Sequence, residues 1–187
     1  MLICITGLTG SGKTTALEYI KSKSLNVFEV DNYVHSIYRK DEKGYALIKE
    51  NFGSEYINEK EVNRQKLGQL VFNDKNQLNK LNNLMLPLIK EKLLELKKED
   101  KTIFVELAIF LNHSDYFKNI FDQVIIIKGK EDVQKQKISN LKWFDSSKQV
   151  INPIDNASNS NYIIVENYGS IDNLKHKIDE LLKRYNC

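Results

Sequence analysis

Cysteine is nearly missing from this chain of 187 residues. The two that occur, Cys4 inside an apolar run and Cys187 at the end, make neither a disulfide framework nor a C-x-x-C metal or redox pair. A reducing cytoplasm is the expected setting. Long apolar runs are missing as well. Met1 to Ile5 is too short for a signal-peptide core and leads straight into a glycine loop, and the run Ile103 to Leu111 is broken by Glu106. Nothing approaches the roughly 18 consecutive apolar residues that a membrane span requires. Nor does one sign of charge dominate: 28 Lys and Arg face 25 Asp and Glu, a net charge of +3, and the lysines alternate with acids, as in Lys90-Glu91-Lys92. With no basic block, no nucleic-acid partner is expected. Arginine is scarce, only Arg39, Arg64 and Arg184, which makes each of the three individually informative. What the chain does have is 41% hydrophobic residues and enough length to bury a core without disulfides or a structural metal.

Short runs rich in β-branched residues alternate with amphipathic stretches. The runs are Leu2 to Ile5, Asn26 to Val30, Thr102 to Glu106, Gln123 to Ile127 and Tyr162 to Val165, and the first is followed by a helical pattern from Lys13 to about Lys23. Such runs, separated by helices, predict five parallel strands buried on both faces, an α/β fold with right-handed crossovers. About seventy residues separate the second and third runs, and their apolar positions recur at helical spacing: Leu67, Leu70, Val71; Leu78, Leu81, Leu84, Met85; Leu88, Ile89; Leu93, Leu94. That is more helix than a crossover needs, so a helical substrate-binding insertion is expected, with Asn73 or Asp74 as a helix cap and Pro87 kinking or restarting the long helix. A helix from Lys130 to Trp143 is followed by a Ser-, Asn- and Asp-rich stretch, Asp145 to Ser160, with the character of a mobile lid. The last helix, Ile171 to Tyr185, presents Leu174, Ile178, Leu181 and Leu182 on one face to close the sheet. The whole reads as a single domain: core at about 1–40, 101–129 and 161–187, insertion at about 41–100, lid at about 130–160.

Chemistry concentrates first in Gly7-Leu8-Thr9-Gly10-Ser11-Gly12-Lys13-Thr14, which matches G-x-x-x-x-G-K-[ST] directly after a strand and before a helix. In that setting the glycines let main-chain N–H groups converge on phosphate oxygens, Lys13 reaches the β and γ phosphates, and the Thr14 hydroxyl ligates Mg²⁺. Without a ligand the same residues would be only a glycine-rich turn. No N-K-x-D stretch for reading guanine is present. Asp31, at the end of the second strand, is placed to take the proton of an attacking hydroxyl or to hold Mg²⁺ through water, and it could equally cap a helix starting at Asn32. Glu106, ending the third run, is suited either to a magnesium-bound water or to a lysine salt bridge. Tyr33, Tyr38, Tyr45 and Phe52 lie at spacings that serve a core as readily as an adenine.

Taken in order along the chain, these residues resemble the dephospho-coenzyme A kinase family. Ile5 to Thr15 is similar to that family's phosphate loop, and Asn26-Val27-Phe28-Glu29-Val30-Asp31 to its second strand, which ends Asp-Ala-Asp; Asp31 stands where the catalytic aspartate does. His35 falls where His or Arg is common, and Phe52-Gly53 matches a Phe-Gly element. Val62-Asn63-Arg64-Gln65-Lys66-Leu67 with Val71-Phe72 resembles a Leu-x-Arg-x-x-Leu segment, marking Arg64 as substrate-facing. Asn161 to Ser170 is similar to the Ala-Asp-Tyr-x-Ile-x-Asn-x-Gly stretch, whose turn, with Asn167, lies beside the adenine of ATP. Glu29 replaces the first aspartate and Leu86-Pro87 a His-Pro pair, and Glu106-Leu107-Ala108-Ile109-Phe110 stands where the family has Pro-Leu-Leu-x-Glu, which moves the acid. In the lid, Lys137 and Lys142 follow Gln134 where the family has arginines.

The resemblance implies a cytoplasmic ATP- and Mg²⁺-dependent transferase. Gly7, Thr9, Gly10, Ser11, Gly12, Lys13, Thr14, Thr15 and Asn167 would bind ATP, and Asp31, His35 and Arg64 would bind the acceptor, with Asp31, Lys13 and Arg64 catalytic. Thr14 and, through water, Glu106 would serve the metal, and Lys137 and Lys142 the lid. The acceptor would be dephospho-CoA and the protein a monomer. A kinase for another hydroxyl acceptor, a nucleoside or nucleotide, and a non-catalytic ATP-binding regulator are the two alternatives.

Overall fold

The computed structural model describes residues 1–117, 119–130 and 162–185. Five strands form one sheet: β1 (Leu2–Thr6), β2 (Asn26–Glu29), β3 (Ile103–Glu106), β4 (Gln123–Gly129) and β5 (Tyr162–Asn167), in the order β2-β3-β1-β4-β5. β1 pairs in parallel with β3 and β4, and β4 with β5. Every residue of β1 is buried, which is why its run reads as continuously apolar rather than alternating. The helices are α1 (Lys13–Ser22), α2 (Val30–Ile37), α3 (Lys43–Phe52), α4 (Arg64–Asn73), α5 (Lys75–Leu96), α6 (Ser114–Phe117) and α7 (Ile171–Arg184).

The chain divides into two compact units, 1–28 with 96–187, and 29–95. In the first, one face of the sheet supplies Ile3, Ile5, Phe104, Ile125, Ile127 and Val165 to a core completed by Ala16, Leu17 and Ile20 of α1 and by Leu174, Ile178, Leu181 and Leu182 of α7. Burying each large member stabilises the fold by about 1.5–3 kcal/mol relative to exposure. α7 begins where Ser170 accepts the Asn173 N–H at 3.2 Å, carries Asp172 in its first turn and Lys183 and Arg184 in its last, so cap and dipole agree with its apolar face. Asp122 ties down the start of β1: it accepts the Leu2 N–H at 2.7 Å and lies 3.0 Å from the Lys97 ammonium.

The second unit is helical and starts at Glu29, so it takes in α2 as well as the expected insertion. Its cap resolves to Asp74, whose Oδ1 accepts N–H bonds from Asn76 at 2.8 Å and Gln77 at 3.3 Å. α5 runs on through Pro87 as one helix and does not restart there. Short antiparallel bridges, Arg39 with Glu61 and Ile57 with Val62, tie the loops together. Ile48, Val62 and Leu93 are fully buried, and burial drives the Tyr38 phenol up to about 12. Among the described residues no helix is long and apolar enough to cross a membrane.

Candidate active site

The turn between β1 and α1 is built from glycines held at positive φ: Gly7 at 151°, Gly10 at 80° and Gly12 at 103°. Two of them are also sterically committed. A Cβ on Gly7 would run into the main-chain oxygen of Ile127 in β4, and one on Gly12 into the side-chain amide of Asn167 at the end of β5. An ordinary helix start would carry a side-chain cap and an acid in its first turn, whereas α1 has Gly12 at the cap, no side-chain cap bond and no acid. With neither a capping side chain nor an acid beside it, the positive dipole end of α1 suits an external anion.

The Lys13 ammonium bends back to donate to the carbonyls of Gly7 at 2.7 Å and Leu8 at 3.2 Å, and the Ser11 N–H closes the loop on the Leu8 carbonyl at 3.1 Å. Thr6 and Ser11 are fully buried, and their hydroxyls have no hydrogen-bond partner among the described residues. Glycines at positive φ, a helix start without a side-chain cap, an unpartnered buried hydroxyl and the Lys13 cation folded onto the loop fit a polyphosphate. Thr9 and Thr14 are exposed and Thr15 is half-buried. Glu106 ends β3 in register with Ile5, and the next residue, Leu107, donates its N–H to the Ile5 carbonyl at 3.2 Å. That register holds Glu106 beside the strand that feeds the loop. Cys4 lies in the same strand, but burial pushes its thiol well above the ordinary value, so it offers no nucleophile here.

Asp31, His35 and Arg64, the residues expected to bind the acceptor, belong to the helical unit. β2 stops at Glu29 and α2 begins at Val30, so Asp31 sits in the first turn of a helix rather than at a strand end, as the apolar run had implied. Glu29 occupies the cap position and forms no side-chain cap bond, which removes the reading of Asp31 as that helix's cap. Asp31 and His35 lie one turn apart, on the same side of α2, and both are exposed. Arg64 is the first residue of α4, exposed, just after Asn63, whose side chain accepts the Lys66 N–H at 3.1 Å. Lys137 and Lys142 lie outside the described residues.

The family model for dephospho-CoA kinase matches residues 1–152. The chain belongs to the dephospho-CoA kinase family. The dephospho-CoA kinase of Mycoplasma pneumoniae is 39% identical over 141 residues, covering 74% of this chain and 70% of that protein. The dephospho-CoA kinase of Mycoplasma genitalium is 34% identical over 170 residues, covering 87% and 86%. A solved dephospho-CoA kinase from Campylobacter jejuni superposes with a TM-score of 0.70 over 98% of this chain and 96% of that one, at 24% identity, a likeness of fold. For a member of this family, the structure gathers the phosphate loop, Glu106 and Asn167 in one compact unit and carries Asp31, His35 and Arg64 on the helices of the other. Sequence reasoning missed the bracing of the loop by Ile127 and Asn167. The one available signal was that positions 7 and 12 are glycine.

Proposed function

We propose that this protein transfers the terminal phosphoryl group of ATP to the ribose 3′-hydroxyl of dephospho-CoA, giving coenzyme A. The observation that supports it most is a phosphate loop whose helix start is left uncapped for an anion, in a chain of this family. The loop's N–H groups and the α1 dipole would hold the triphosphate, and the Lys13 ammonium would leave the Gly7 and Leu8 carbonyls to meet the β and γ oxygens, where charge builds in the transition state. The Asp31 carboxylate would accept the proton of the 3′-hydroxyl as its oxygen bonds to the γ phosphorus and the bridging oxygen departs with ADP. Arg64, with its fork of donors, would hold the acceptor, and His35 would contact it from the next turn of α2.

A bound Mg²⁺ would supply neutralisation of the phosphate charge. Among the described residues no group of three His, Cys, Asp or Glu side chains could hold a metal, which suits an ion carried mainly by phosphate and water. The Thr14 hydroxyl, and Glu106 through water, would complete its shell. Lys137 and Lys142 would supply lid charge in place of arginines. The protein is read as a cytoplasmic monomer, with Cys4 a reduced, buried thiol.

ADP release by the purified protein with ATP and Mg²⁺, with and without dephospho-CoA and beside a nucleoside and nucleotide panel, tests the reading. Stimulation by dephospho-CoA, with a product heavier by one phosphoryl group, is the expected result. Turnover of another acceptor instead would overturn the substrate, and ATP binding without turnover on any acceptor would overturn the kinase.

A further inference from the structure

The side chain of Asn167 reaches from the last strand to the phosphate loop. Its Nδ2 donates to the main-chain oxygen of Ser11 at 2.9 Å, a partly buried bond between residues 156 positions apart. The same amide occupies the space a Cβ on Gly12 would need, and Leu174 Cδ2 would stand 3.5 Å from that Cβ on its other side. The β4–β5 register fixes the base of Asn167 by pairing it with Gly129.

A peptide plane couples the two groups it carries. In a trans peptide the carbonyl and the following N–H point in opposite directions. Holding the Ser11 oxygen on Asn167 therefore commits the Gly12 N–H to the other side of the plane. Gly12, on one side of this plane, sits at positive φ and has no Cβ to resist a flip, and a flipped plane would turn an oxygen toward an incoming phosphate where the motif needs a donor.

We infer that Asn167 is a positioning residue of the phosphate loop, its amide holding the Ser11–Gly12 peptide in the orientation that presents an N–H to the triphosphate. This rests on the reading of the loop as an ATP site and moves Asn167 from an adenine contact to the phosphate end. Asn167→Leu keeps the volume and removes the donor, and Asn167→Ala removes the donor without adding bulk. Asn167→Asp places an acceptor opposite an acceptor.

The test is calorimetric binding of ATP, inorganic tripolyphosphate and adenosine to the wild-type protein and the three variants, with a thermal melt of each. The expected result is that wild-type protein binds ATP and tripolyphosphate, and that the Leu and Ala variants bind both about tenfold more weakly, the size of one lost hydrogen bond. Asn167→Asp should bind them more weakly still, while adenosine affinity stays within twofold. In turnover, KM for ATP should rise with KM for dephospho-CoA unchanged. Loss of adenosine binding with tripolyphosphate binding intact would overturn the inference in favour of a base contact. Unchanged tripolyphosphate binding in variants that melt early would overturn it in favour of a purely structural role. Wild-type protein that binds neither ATP nor tripolyphosphate would overturn the ATP site itself, a separate failure.

Discussion

The two compact units present the residues proposed for the chemistry in opposite ways. In the unit of residues 1–28 and 96–187, the proposed site rests mostly on main chain: glycines at positive φ, a helix start without a cap, and a β4 carbonyl that, with the Asn167 side chain, shapes the loop from outside. In the unit of residues 29–95 it is side chain, with Asp31, His35 and Arg64 projecting exposed from helix surfaces. Main-chain sites are fixed by packing and tolerate little change in the wall. Side-chain sites leave the helix beneath them indifferent to which residue they carry.

That contrast can be broken most decisively at Asp31. Asp31→Asn should lower kcat by up to about 10⁴-fold while ATP affinity and the melting temperature hold, since an exposed helix residue supports little packing. Steady-state kinetics beside ATP titration would show it, and full turnover by the variant would take Asp31 out of the reaction. Lys13→Ala, on the main-chain side, should lower kcat by about 10²–10³-fold and weaken ATP binding with it, because the same cation serves ground state and transition state.

Core truncation sharpens the comparison in a different coordinate. Ile125→Ala empties a fully packed position under the phosphate loop's sheet and should cost about 2–5 kcal/mol in urea unfolding. The loss should appear as a lower midpoint with an unchanged slope. The smallest effect is expected at Asp122. Burial pushes its carboxyl up, but the Leu2 N–H and the Lys97 ammonium outweigh this and hold it below the ordinary value. A carboxyl held low in the folded state contributes stability above its unfolded pKa and loses it as pH falls through the folded one. Asp122→Ala should therefore cost about 1 kcal/mol at pH 7, a figure reduced for its partial exposure, and the gap from wild type should begin to narrow below about pH 4. Urea unfolding at pH 7 and pH 3 measures both.

Much of the first unit was legible because its signals are local. Buried parallel strands announce themselves as β-branched runs, α7 as a face of three leucines and one isoleucine, and the phosphate loop as eight contiguous residues. Where two local options competed, only geometry separated them: Asp74 rather than Asn73 caps α5, and α2 begins before Asp31 because Val30 continues the apolar run while already turning into the helix. The bond from Asn167 to Ser11 was illegible for a plainer reason. Nothing in either residue's neighbourhood names a partner 156 positions away.

That separation also sets a timetable for synthesis. Translation makes the phosphate motif almost first, whereas the strands that wall it, β4 and then β5, are made later, and the amide that fixes its peptide comes at residue 167. A nascent chain on the ribosome therefore carries its nucleotide motif for most of elongation as an unshaped glycine loop. Full affinity for nucleotide should therefore arrive late, once β5 has paired with β4 and brought Asn167 to the loop.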